Sequence, residues 1–244
     1  MSIKNKVDDI FSEFTKDIEK LFAADLVSII AYGSALTDEF NTKKSDINML
    51  VCLKDDRPSI IGRYNSIKKK WQKQKIMLPL FVTENYISES LDVFPIEFLN
   101  IQLHYKLLLG KDVLSNLTFN KDHIRHELER ELKGKLLHLK LSFLEANCSL
   151  KMLARLIDAS MHVFMPLFRG MLYLLDADYS VSKKEIIERV SDRYGLDKEL
   201  LTQLFNVSQG EELPKKHIEN VFDRYINNVH KMIELINNME GRYE

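Results

Sequence analysis

Apolar residues recur at three- and four-residue steps through the start of the chain, at Ile3, Val7, Ile10, Phe11, Phe14, Ile18, Leu21 and Phe22. One apolar face at that period predicts an amphipathic helix. The pattern then changes to short apolar runs. Leu26-Val27-Ser28-Ile29-Ile30-Ala31-Tyr32, ending at Gly33, predicts a buried strand. Residues 46–53 predict a second strand, Leu78–Val82 a third and Pro95–Ile101 a fourth. Pro79 lies near the start of the third, where a missing N–H is tolerated. Between the second and third runs, Pro58 suits the first turn of a helix expected to continue to about Lys75. Gly110 punctuates the apolar triplet Leu107-Leu108-Leu109.

From Asn120 onward the period is helical. Asn120 is placed to cap a long helix to about Ala146, and Ser149 a second to about Leu175, which Pro166 should kink or split. Residues 182–194 predict a short amphipathic helix stopped by Gly195. A further helix is expected over 197–208, and Pro214 should open a last one to about Met239. The expected fold class is therefore α+β: a mixed β-sheet flanked by helices over 1–118, followed by an all-α helical bundle over 119–244.

Composition narrows the function. The chain has 244 residues, with 35 Lys+Arg against 36 Asp+Glu. Sixteen of each sign fall within residues 1–118, so neither half is a polycation or a polyanion. Bulk nucleic-acid binding needs clustered positive charge and is disfavoured. No apolar run approaches the roughly 20 residues of a membrane span. The N-terminus runs into charged residues and not an apolar signal core. Cys52 and Cys148 make no Cys-x-x-Cys pair, which argues for free thiols in a reducing cytoplasm. With only 8 glycines in the chain, Gly33 stands out as a place where the backbone is left bare.

The stretch richest in chemistry is Ala31-Tyr32-Gly33-Ser34, eleven residues, then Asp46-Ile47-Asn48-Met49-Leu50-Val51. On a strand Asp46 and Asn48 share a face, so their oxygens can converge on one cation. Gly33 lets the backbone approach an anion closely, and Ser34 adds a hydroxyl and an N–H. Glu97 lies within an apolar run, where an isolated carboxylate calls for a partner, a metal or a cavity.

These residues resemble the nucleotidyltransferase superfamily that includes the aminoglycoside nucleotidyltransferases. Its pattern is an apolar strand, Gly-Ser or Gly-Gly, a spacer of about ten residues, then Asp-x-Asp or Asp-x-Glu. Gly33, Ser34 and Asp46 match it, while Asn48 stands where the pattern has a second carboxylate. Val93–Leu99 followed by Leu109–Leu114 is similar to uncharacterised two-domain members with a C-terminal helical domain. The resemblance implies nucleotidyl transfer from an NTP, ATP first among them, to a hydroxyl on a small-molecule or protein acceptor, with Mg²⁺ or Mn²⁺ as cofactor. It implies metal binding by Asp46, Asn48 and Glu97, with Asp46 and Glu97 as catalytic residues. It also implies phosphate binding by Gly33, Ser34, Lys43 and Lys44. A homodimer is an assembly this pattern leaves open. Because Asn48 brings no charge, a nucleotide-binding regulatory or pseudo-catalytic protein is the alternative.

Weaker signals have plainer readings. Lys68–Lys75 with Trp71 could touch a phosphate, but reads better as a solvated helix end with Trp71 packed inward. His123 and His126 read as a helix face. Met152, Met161, Met165 and Met171 read as core filler. Arg155 and His162, seven apart, resemble the short motif of HEPN-type ribonuclease domains, which gives a toxin–antitoxin type protein as a further alternative. The apolar neighbours of His162 favour a satisfied core histidine.

Overall fold

The computed structural model describes residues 3–37, 40, 45–147, 149–212 and 218–241. The chain divides into two compact units. One contains residues 1–91 and 98–118, the other residues 92–97 and 119–244.

The first unit opens with α1 (Ile3–Phe22) and β1 (Leu26–Tyr32), then β2 (Asn48–Leu53). Short helices α2 (Pro58–Ile61) and α3 (Lys68–Lys73) lead to β3 (Leu80–Val82) and α4 (Glu84–Glu89). Helix α5 (Pro95–Leu103) begins in the second unit and ends in the first, and β4 (Tyr105–Gly110) completes the sheet. The strand order is β3-β2-β1-β4. β1 pairs antiparallel with both β2 and β4, whereas β2 and β3 are parallel. The sheet is therefore mixed.

The alternation along the strands builds the core. Ile29, Ala31, Met49, Val51 and Leu53 share a cluster with Phe11, Phe14, Ile18 and Phe22 of α1. Their neighbours Ser28, Ile30, Leu50 and Cys52 are equally buried, so both faces of the sheet are covered. Trp71 is fully buried, meets Phe14 edge-on and donates its indole N–H to Asp17 at 3.1 Å. The basic run around it is thus a helix end anchored inward, as its pattern suggests.

Two expectations fail here for physical reasons. Pro95–Ile101 is not a fourth strand but the body of α5. Its residues Ile96, Phe98, Leu99 and Ile101 are all buried, and a run that is apolar on several sides shows no period that separates strand from helix. The fourth strand is Tyr105–Gly110. The helix expected over 58–75 is broken by a 3₁₀ turn at Gly62–Ser66, where Gly, Asn and Ser are weak helix formers.

The second unit contains α6 (Lys121–Ala146), α7 (Leu150–Leu174), α8 (Lys183–Tyr194), α9 (Lys198–Gln209) and α10 (Ile218–Asn237). Asn120 caps α6 by accepting from the Asp122 N–H at 2.7 Å. Ser182 and Glu185 form a capping box at α8, and Gly195 ends that helix in the left-handed conformation. Helix α7 runs through Pro166 without splitting. Phe164, Met165, Leu167 and Phe168 around the proline are buried, and that packing offsets the lost hydrogen bond. The expected opening of the last helix at Pro214 falls on residues 213–217, and the Cys148 thiol on residue 148, both outside the described residues.

Candidate active site

The local site grows from the junction of β1 and β2. β1 ends at Tyr32, and the chain then turns through a short 3₁₀ segment, Gly33–Leu36. Gly33 has φ +81°, a conformation that L side chains rarely adopt. Its N–H donates to the His104 carbonyl at 2.8 Å, which ties the turn to the residue before β4. The Ser34 carbonyl accepts from both the Thr37 N–H at 3.0 Å and the Thr37 hydroxyl at 3.1 Å.

Asn48 is the first residue of β2 and stands opposite Tyr32 in the register. Tyr32 in turn stands opposite Tyr105 of β4. The end of the sheet is thus a row of Tyr105, Tyr32 and Asn48, beside Gly33. A Cβ on Gly33 would lie 3.1 Å from the Asn48 side-chain nitrogen. So the structure brings Gly33 and Asn48 together. Asp46 precedes the strand. It is exposed, as is Asn48, while Ile47 between them is buried. The Ile47 N–H donates to the Lys75 carbonyl at 2.9 Å, which holds this lead-in to β2. Lys43 and Lys44 lie outside the described residues.

Glu97 occupies a different setting from the one its apolar neighbours suggest. It lies in the first turn of α5, within the second unit, with its side chain reached by solvent. A carboxylate there is favoured by the helix dipole. Even so, burial by the surrounding protein raises its carboxyl above the usual range. Nearby in the same unit is Glu127 of α6, a residue the motif reading passed over. Glu127 is buried, accepts from the Ile96 N–H at 2.7 Å, and lies 3.8 Å from Arg130. Burial raises its carboxyl, the Ile96 N–H and Arg130 oppose that, and the negative charge of Glu97 adds to it. The sequence held one signal for Glu127: it sits three residues after Ile124 and one before Leu128, on the apolar side of a helix.

Other candidates fall away from any site. His162 is not a core histidine: its side chain is 70% exposed, 3.5 Å from Asp158 on the next turn. Met161, Met165 and Met171 are core residues, but Met152 is exposed. The two ring nitrogens of His126 lie 3.0 and 3.1 Å from one guanidinium nitrogen of Arg125. Cys52 is buried, and desolvation followed by the charge of Glu84 pushes its thiol up to about 12.

Metal fit can be judged from the donors. Among the described residues no three His, Cys, Asp or Glu side chains are gathered to hold an ion. Asp46 and Asn48 offer one carboxylate and one amide oxygen, both exposed. Hard oxygen donors of this kind suit Mg²⁺ when phosphate oxygens and water supply the rest. They bring a single negative charge, which fits one ion better than two. The strand beside β2 adds no carboxylate, since β3 is Leu80, Phe81 and Val82.

No family model matches the chain, and no curated protein matches it by sequence. Among solved structures it is similar to spectinomycin adenyltransferase AAD(9) from Enterococcus faecialis, whose crystal structure was determined with ATP and spectinomycin. The two are 12% identical, with a TM-score of 0.60, over 93% of this chain and 98% of that one. The chain has an aminoglycoside nucleotidyltransferase-like fold, a four-stranded mixed sheet followed by a helical C-terminal region.

Proposed function

We propose that this chain is a Mg²⁺-dependent nucleotidyltransferase that moves a nucleoside monophosphate, AMP first, from an NTP to an acceptor hydroxyl. One observation carries the reading. The bare, left-handed Gly33 stands against Asn48 at the start of β2, with Asp46 exposed two residues earlier. This arrangement sits in a chain whose fold follows an adenyltransferase over 93% of its length.

In this reading the acceptor oxygen attacks the α-phosphorus in line, the bond to the β-phosphate oxygen breaks, and pyrophosphate leaves. Asp46 and Asn48 would hold Mg²⁺ together with the nucleotide phosphates. The bound ion supplies positive charge against the phosphate oxygens. Gly33 gives the phosphates room at the end of β1. Its own N–H is bonded to His104, so phosphate contact falls to Ser34 and to Lys43 and Lys44. Glu97 is proposed to take the acceptor's proton. What supports that role is a solvent-reached carboxyl with a raised proton affinity, the property a general base needs.

A second reading, nucleotide binding without efficient transfer, is favoured by the uncharged Asn48. Calorimetry with ATP and Mg²⁺, followed by a pyrophosphate-release assay, separates the two. Binding with acceptor-dependent release supports the enzyme; binding without release supports the second reading. No Mg²⁺-dependent ATP binding removes both. Among the described residues no helix is long and apolar enough to cross a membrane, and the proposed setting is the cytoplasm.

A further inference from the structure

Helix α5 starts without a cap from the chain that leads into it. Asp92, Val93 and Phe94 are exposed, and Phe94, directly before the helix, has no side-chain oxygen. Pro95 has no N–H, so Ile96 carries the first free backbone donor at that end. Its partner comes from α6. One oxygen of the Glu127 carboxylate accepts from the Ile96 N–H at 2.7 Å, and the other lies 3.8 Å from Arg130. The helix dipole also favours an acidic group at this end.

The Ile96 side chain is held as closely as its backbone. A Cβ on Gly170 of α7 would lie 3.4 Å from two Ile96 side-chain carbons and 3.4 Å from Leu128 of α6. Glycine is a weak helix former, and here it leaves a gap beside Ile96. All of these residues belong to the second unit. What the fixed turn displays is Glu97. Pro95, Ile96, Phe98 and Leu99 are buried, and Glu97 alone in that stretch is exposed. Among the described residues Glu127 is the one buried acidic side chain. A carboxylate is costly to bury, and an apolar residue would serve packing better. Its place on the N–H of the residue before Glu97 gives it another task.

We infer that Glu127 is a positioning residue for Glu97: by holding the Ile96 N–H it sets the first turn of α5, and with it the direction in which the Glu97 carboxyl points. The inference rests on the reading of Glu97 as the group that takes the acceptor's proton. In this role Glu127 acts through one hydrogen bond and one peptide unit, not by contact with the reacting atoms.

The test follows transfer of labelled AMP from ATP by the full chain, with Mg²⁺ and a panel of hydroxyl-bearing small molecules and proteins. Melting and ATP calorimetry accompany every variant. Glu97→Gln should lower kcat about a hundredfold or more. Glu127→Ala should lower kcat about tenfold or more, since misplacing a reacting group is costly, while the KM for ATP and the ATP affinity stay unchanged. In the Glu97→Gln background Glu127→Ala should add no further loss, because the group it positions is gone. Glu127→Gln keeps an oxygen for the Ile96 N–H and should retain most of kcat. Gly170→Val, which crowds Ile96 from α7 with Glu127 intact, is the second route should Glu127→Ala fail to fold. It too should lower kcat and add nothing without Glu97. Losses that multiply in the double variants would overturn the inference, as would full kcat or weakened ATP binding in Glu127→Ala, or a loss in Glu127→Gln as large as in Glu127→Ala. Full kcat in Glu97→Gln, or no transfer by the native chain, removes the base itself and this inference with it. An impaired Glu97→Gln beside an unimpaired Glu127→Ala removes this inference alone.

Discussion

Gly33→Ala is the most informative single change, because two separable costs can be worked from the structure. The first is conformational. At φ +81° an L side chain crowds its own backbone, which costs about 1–2 kcal/mol. The second is contact. The new Cβ would lie 3.1 Å from the Asn48 side-chain nitrogen, so that amide must move by a few tenths of an ångström or the turn must open. A total near 2 kcal/mol lowers the melting temperature by about 4–8 °C for a chain of this size. Gly195→Ala is the control. It shares the left-handed conformation, φ +61°, but its Cβ would meet only the Lys231 ammonium at an ordinary 3.5 Å. It should show the conformational cost alone. Adding Asn48→Ala to Gly33→Ala should recover the contact cost in a double-mutant cycle. Calorimetric melting gives the stabilities, and ATP titration should show affinity falling about tenfold in Gly33→Ala but not in Gly195→Ala. Unchanged ATP affinity in Gly33→Ala, or no coupling to Asn48, would refute the reasoning that this bare turn serves the nucleotide.

Other expectations follow from neighbouring residues. Asn48→Asp keeps the shape and adds a charge beside Asp46, so the Mg²⁺ concentration needed for ATP binding should fall about tenfold; an unchanged requirement would place residue 48 outside the metal's reach. The buried Glu127 carboxyl holds its proton more tightly folded than unfolded, with 4.5 as its ordinary value. Its contribution is therefore complete below that pH and is lost as pH rises through the raised folded value. The melting temperature of the native chain should fall, relative to Glu127→Gln, as pH rises from acid to neutral, and parallel curves would count against it. Cys52 is buried with its thiol pushed up to about 12. In a Cys148→Ser background it should resist a disulfide reagent at pH 8 until the protein unfolds; prompt reaction would contradict its burial.

Local physics explains which elements could be read from the sequence. Helix α1 announces itself because Val7, Phe11, Phe14 and Ile18 face one core while charged residues face water. Asn120, Ser182 and Gly195 mark helix ends because caps satisfy backbone groups within a few residues. Gly33 was legible because its conformation is one that few residues but glycine adopt, and β1 delivers it to the start of β2. Helix α5 was not legible, since burial on several sides erases its period. Its misreading as a strand also misplaced Glu97, which belongs to a helix start and not to a sheet. Glu127 was hidden for a different reason. Its partner, the Ile96 N–H, lies 31 residues away in the chain, and no local pattern announces such a bond. His162 shows the converse: apolar neighbours at 161, 163 and 164 suggest burial, yet the helix turns the ring and Val163 outward.

The central claim is nucleotidyl transfer at the junction of β1 and β2. Its most direct test incubates the full chain with ATP labelled at the α-phosphate, Mg²⁺ and a panel of hydroxyl-bearing small molecules and proteins. Labelled AMP should appear on one acceptor with equal release of pyrophosphate. Asp46→Ala, an exposed change, should abolish transfer by a hundredfold or more on the order expected for loss of a charged transition-state contact, with melting unchanged. Transfer that survives intact in Asp46→Ala, or ATP that neither binds nor reacts in the native chain, would contradict the account.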